Sequence, residues 1–165
     1  MTKKNQSNAA TESQLKENEK KWSKTLIAAG WTVMPNVIIE RQRALGLDAL
    51  DVNIILHLAS RWWKADGKPH PSKGSIAEAM NVHPRTVQKR IAAMEAAKLI
   101  RREERRLKGG GSKTNIYHLD GLIKAAMPYA EEKIAERKLN EERRKAKAAK
   151  RGRPNLKVIS GGADE

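Results

Sequence analysis

Arg85, Gln88 and Lys89 follow Pro84 at i, i+3 and i+4, the spacing that puts side chains on one face of a helix. Their chemistry suits a nucleic acid: the guanidinium fork of Arg85 matches guanine O6 and N7, and the Gln88 amide matches adenine N6 and N7. Lys89 or Arg90 suits a phosphate, and Thr86 can cap the helix locally and reach one too. Ser72, Lys73 and Ser75 open an earlier helical stretch whose first backbone N–H groups can meet a phosphate. Lys108 and Lys113 flank Gly109-Gly110-Gly111, a basic tip suited to a flanking groove. The chemistry these residues share is recognition of double-stranded DNA, and that is the partner they imply.

Composition narrows the function from the other side. The chain of 165 residues holds 34 Lys+Arg against 19 Asp+Glu, a net charge of +15, and no Cys. Without thiolates there are no disulfides, no cysteine nucleophile and no zinc finger. His57, His70, His83 and His118 are scattered without metal-ligand spacing, and no Gly-rich loop follows a strand to hold a nucleotide phosphate. No nucleophile, base and orienting group assemble. The expectation is a non-enzymatic protein with no metal, no cofactor and no small-molecule effector. A lack of Cys suits the reducing cytoplasm, and no apolar run approaches the roughly 20 residues of a membrane span. The protein is thus expected in the cytoplasm, at the nucleoid and without a membrane partner. The charge is unevenly placed: residues 1–24 carry +3, 25–60 carry −1, 61–120 carry +8 and 121–165 carry +5. Positive charge gathers where the DNA-matching residues are.

The elements that must position those residues can be read from spacing. Residues 1–10 are polar and expected to be disordered, within a partly helical segment 1–24. Leu15, Trp22, Leu26 and Ala29 predict a helix over 12–29, capped by Thr11 and stopped by Gly30. Asn36 is expected to cap a helix over 37–45 that Gly46 ends. Asp48, with Asp51 three residues on, predicts a capped helix whose broad apolar face includes Ile54, Ile55, Leu56, Leu58, Ala59, Trp62 and Trp63. Both tryptophans are therefore expected in the core.

Ser72 caps the next helix, with Ile76, Ala77 and Met80 inward. Asn81-Val82-His83 makes a short turn, and Pro84 suits the first position of a helix running to about residue 97. Val87, Ile91 and Met94 form its buried stripe, which leaves Arg85, Gln88, Lys89 and Ala92 roughly opposite. Two short helices, a tight turn and a basic second helix make a helix-turn-helix. Residues 101–106 and 114–119 then read as two strands around the triglycine, a hairpin wing. Within it Arg101, Arg102, Arg105 and Arg106 alternate with Glu103 and Glu104, so that some of them are expected in cross-strand pairs rather than on DNA. The expected fold is mainly α with a small β-hairpin. A winged helix-turn-helix over 25–120 is followed by a charged helical extension over 121–150, interrupted by Pro128, and a flexible basic tail over 151–165.

Several pieces together resemble a known family: Pro71-Ser72, Ile76-Ala77, Arg85-Thr86-Val87-Gln88, Lys98-Leu99-Ile100-Arg101 and Asn115-Ile116-Tyr117. They are similar to the winged helix-turn-helix of phage and plasmid replication proteins and related bacterial regulators. With Met34-Pro35-Asn36 and the 47–58 helix, the resemblance spans about residues 31–120. His83 stands where such modules commonly carry a small Ser, and it joins the candidate contact set. Arg151-Gly152-Arg153-Pro154 resembles the core of an AT-hook, whose arginines lie in a narrow minor groove. The residues together lead to the expectation of a sequence-specific double-stranded DNA-binding protein acting as a transcription regulator of a bacterium, phage or mobile element. The module they resemble serves transcription, replication and conjugation alike. Two alternatives stay open: an accessory protein of plasmid or phage replication that binds origin DNA, and a winged helix that binds protein. One helix-turn-helix covers a short half-site, so a homodimer is the form that would give selectivity.

Overall fold

The computed structural model describes residues 3–64, 66–107 and 111–150. Helix α1 (Lys3–Trp22) is followed by α2 (Lys24–Ala29), α3 (Asn36–Glu40), α4 (Ala49–Ala59), α5 (Lys73–Ala79) and α6 (Pro84–Ala96). The antiparallel strands β1 (Arg101–Leu107) and β2 (Gly111–His118) come next, then α7 (Asp120–Lys150). A helix-turn-helix followed by a hairpin is a winged helix, as the sequence implies.

The N-terminal helix departs from expectation twice. It begins at Lys3, so residues 3–10 are helical, and it breaks at Ser23. Ser23 has a left-handed φ of 79°, and its side chain caps α2 by accepting from the Leu26 N–H at 3.3 Å. A serine that can bond the backbone locally competes with continuation of the helix. Helix α3 is also shorter than expected. Asn36 is its first residue rather than its cap, because Pro35 takes the cap position with no side-chain bond. Turns cover residues 41–46 and finish at Gly46, whose φ of 72° a side chain would resist.

The core gathers around α4, α5 and α6. Ile54, Ile55 and Leu58 of α4 are buried with Ile76 and Ala77 of α5 and Val87, Ile91 and Met94 of α6. Tyr117 from β2 enters the same core, where burial pushes its phenol above the usual tyrosine range. Its backbone N–H donates to the carbonyl of the buried Pro69 at 2.9 Å, which fastens the 64–71 loop to the wing. Trp62 is only half-buried and Trp63 is 81% exposed, so the expectation of two core tryptophans is corrected. Helix α4 stops at Ala59, before the indoles can complete its apolar stripe.

Two compact units divide the chain at residues 126 and 127. The first includes the opening turns of α7, where Leu122 and Ala126 are buried, six residues beyond the boundary drawn from sequence. Of the second, residues 127–150 are described as helix, with exposed Lys, Arg and Glu dominating. Pro128 lies inside α7 and does not interrupt it, contrary to expectation. Its ring removes one backbone hydrogen bond, and the flanking Ala, Glu and Lys are strong helix formers that offset the loss.

Gly121 marks the tightest approach in the domain. A Cβ there would lie 1.9 Å from the Lys98 carbonyl oxygen, where the Leu122 N–H bonds the Leu99 carbonyl at 2.7 Å. Gly121→Ala must push backbone from backbone, so it is expected to destabilise the fold by about 1–3 kcal/mol. Urea unfolding of the two proteins would show this as a lower midpoint at an unchanged slope.

Candidate nucleic-acid interface

Helix α6 owes its orientation to contacts on its inner side. Val87 and Ile91 are fully buried and Met94 nearly so, which leaves Arg85, Gln88, Lys89 and Ala92 exposed as the spacing implies. Its start is set by His83, whose Nδ1 accepts from the Arg85 N–H at 3.1 Å. The imidazole therefore replaces the small cap residue common in such modules, and in its neutral form it carries its proton on Nε2. Pro84 occupies the first turn, where no intrahelical donor is needed. Thr86 is half-buried, and its backbone N–H bonds the His83 carbonyl at 2.8 Å.

Helix α5 holds its first turn close to that face. Ser72 Oγ accepts from the Ser75 N–H, and Ser75 Oγ donates to the Ser72 carbonyl, both at 2.9 Å. Both hydroxyls are thus engaged in capping. Lys73 Nζ donates to Gln88 Oε1 at 3.4 Å, so the start of α5 and the exposed side of α6 form one polar surface.

Arg90 is the alternative to Lys89 for a phosphate contact. It instead turns to α4 and pairs with Asp48 and Asp51, its Nε lying 3.2 Å from Asp51 Oδ1. Those two acids also form the capping box of α4, with Asp48 Oδ1 accepting from the Asp51 N–H at 3.0 Å and Asp51 Oδ2 from the Asp48 N–H at 3.1 Å. Burial pushes the Asp51 carboxyl above the usual carboxylate range, and the Arg90 guanidinium lies beside it as an opposite charge, its Nε and Asp51 Oδ1 close but without hydrogen-bond geometry. The sequence gives the Asp pair away as a cap but not as an ion-pair partner, since 39 positions separate Asp51 from Arg90.

The wing is built in the same way. Its strands pair Arg101 with His118, Arg102 with Tyr117 and Glu103 with Ile116, then shift register before Arg105 meets Lys113. Arg102 pairs with Glu95 of α6 at 3.2 Å, and its backbone N–H bonds the same carboxylate at 3.1 Å. Glu103 meets His118 across the strands at 2.9 Å, and Arg105 is fixed to the carbonyl and hydroxyl of Thr114. The expected cross-strand acid pairing thus involves a histidine, and Arg102 reaches the recognition helix instead. Lys113 is exposed. Lys108, Arg151, Gly152 and Arg153 lie outside the described residues.

Two sets of basic side chains stand out on the helix-turn-helix and wing. Arg90, Arg102 and Arg105 fasten one element to another. Arg85, Lys89 and Lys113 face solvent with no ion pair among the described residues. Exposed cations on the recognition helix, beside a Gln amide, can receive phosphates and base edges.

Residues 45–100 match the helix-turn-helix domain family. That match supports DNA binding. Two solved structures show a partial likeness. One is the N-terminal domain of the DnaD protein from Geobacillus kaustophilus HTA426, at 17% identity over 68% of this chain and 91% of that one, with a TM-score of 0.49. The other is a possible transcriptional regulator from Methanosarcina mazei Go1, at 19% identity over 66% of this chain and 85% of that one, with a TM-score of 0.41. No curated protein sequence matches. Among the described residues, no helix is long and apolar enough to cross a membrane.

Arg90→Ala leaves Asp51 buried without its cation and is expected to cost about 1–3 kcal/mol of stability at neutral pH. The cost should shrink on acidification. An acid whose folded pKa is raised binds its proton sooner in the folded state, so the penalty fades as pH falls toward the unfolded value of 3.8. Thermal melts of wild type and variant at several pH values would check both magnitude and sign; a gap that widens in acid would contradict the pairing.

Proposed function

We propose that the protein reads double-stranded DNA sequence-specifically, as a non-enzymatic transcription regulator of a bacterium, phage or mobile element. The observation that carries this reading is the division of the cations. Those with structural work are paired, and Arg85, Lys89 and Lys113 are exposed on the recognition helix and wing with no ion pair among the described residues. Arg85 and Gln88 are the candidate base readers, and Lys89 and Lys113 the phosphate contacts. His83 Nε2–H is a further donor at the start of α6. Arg90 is not in the contact set, because its charge is taken up by α4.

Selectivity from so short a reading head calls for two copies on two half-sites, so the working form in this reading is a homodimer in the cytoplasm. The family resemblance also favours an origin-binding role in plasmid or phage replication, which would use the same surface. Bound sites mapped across the genome separate the two readings: promoters mark a regulator, and clustered repeats at an origin mark a replication protein.

Selection of bound sequences from random duplex DNA supplies the cognate site on which single variants can be weighed. Arg85→Ala is expected to weaken that site by about 1–3 kcal/mol and to relax preference at the base it contacts. Lys113→Ala should instead weaken all duplexes alike and lower the salt dependence by about one phosphate contact. Fluorescence anisotropy across a salt series measures both. A wild-type protein without affinity for any duplex at low salt would end this reading.

A further inference from the structure

The C-terminal end of α4 and the loop after it carry a feature that duplex reading does not use. Trp63 is the most exposed of the large apolar side chains among the described residues, at 81%. Its ring is nevertheless anchored, because indole Nε1 donates to the Ser60 carbonyl at 2.6 Å. Beside it an open cleft of about 390 Å³ is lined by Arg61, Trp63, His70, Pro71 and Ser75. Arg61 is exposed and makes no ion pair among the described residues, and no carboxylate lines the cleft. His70 is held through Nδ1 on the Lys68 carbonyl at 3.0 Å, which leaves Nε2 as an acceptor for a base N–H. The cleft adjoins the duplex-reading face: Ser75 belongs to the first turn of α5, from which Lys73 reaches Gln88 of α6.

We propose that this cleft holds an unpaired nucleotide, so that the protein binds the junction where a single strand leaves the duplex it reads. The inference rests on duplex binding by α6 and wing, and extends it. A fixed, exposed indole is a stacking platform, and base stacking on aromatic rings tolerates any sequence. Within an intact duplex both faces of each base are already covered, so away from the ends an unpaired base is the one with a face to offer. Charge argues for the same occupant. An apolar protein segment seated here would cover Arg61 without a counter-charge, whereas a nucleotide brings its own phosphate.

The test compares the full chain on a blunt duplex and on the same duplex with a single-stranded thymidine extension of about eight nucleotides, read by fluorescence anisotropy. The extended DNA should bind about tenfold more tightly, and Trp63→Ala should abolish that gain while leaving the blunt duplex unaffected. Trp63→Phe should keep most of the gain, and Arg61→Ala should reduce it, which provides a second probe if Trp63→Ala proves unstable in a thermal melt. Equal affinity of wild type for both DNAs overturns the inference. So does a Trp63→Ala loss of the same size on the blunt duplex, which would make Trp63 a duplex contact. Failure of the underlying reading looks different: the wild type would then not bind the blunt duplex at all.

Discussion

One-sided burial of α6 is the constraint on which the rest of the molecule depends. Val87, Ile91 and Met94 leave water together, and a helix pinned along that stripe presents Arg85, Gln88, Lys89 and Ala92 outward. Burial alone fixes which side faces in, but it leaves freedom to slide or tilt. The ion pairs of Arg90 with Asp48 and Asp51 limit that freedom by attaching the middle of α6 to the start of α4. The Glu95–Arg102 pair then attaches the end of α6 to the wing. A reading head needs such fixing because hydrogen bonds to base edges lose strength steeply with small errors in position and angle.

The scaffold spends arginine freely in this task, and that bears on how a basic protein should be understood. A net charge of +15 describes attraction to a polyanion at long range but says nothing about which cations touch it. Arg90, Arg102 and Arg105 add to the field around the molecule while their guanidinium groups lie against partners within it. Their planar forks suit that double role, since a guanidinium can satisfy two acceptors and stay charged. The side chains left for direct contact are fewer than the composition suggests.

Much of the fold was legible in the residue pattern. The Asp48 cap, the Ser72 cap, Pro84 at the first turn and the stripe of α6 are local signals, each set by contacts within about one helical turn. The hairpin was legible from two β-patterned runs around three glycines. What misled was chemistry that competes locally with the pattern. Ser23 ends α1 by capping α2, where periodicity alone continues the helix. Pro128 stays within α7, where a rule based on its missing N–H predicts a break. Trp63 has the composition of a core residue, but α4 ends before it.

By itself, the sequence determined the helix-turn-helix and wing and which residues of α6 share its outer face. Those features follow from a periodicity of 3.6 or 2 and from caps a few residues away, so they need no knowledge of distant neighbours. Only the tertiary structure decided that Arg90 belongs to the scaffold, that the compact unit runs on to Ala126 and that an anchored Trp63 stands beside an unpaired Arg61. Each depends on groups far apart in sequence meeting in space. A side chain's charge is written in its type, but whether that charge is taken up by a neighbour or left for a ligand is settled by packing.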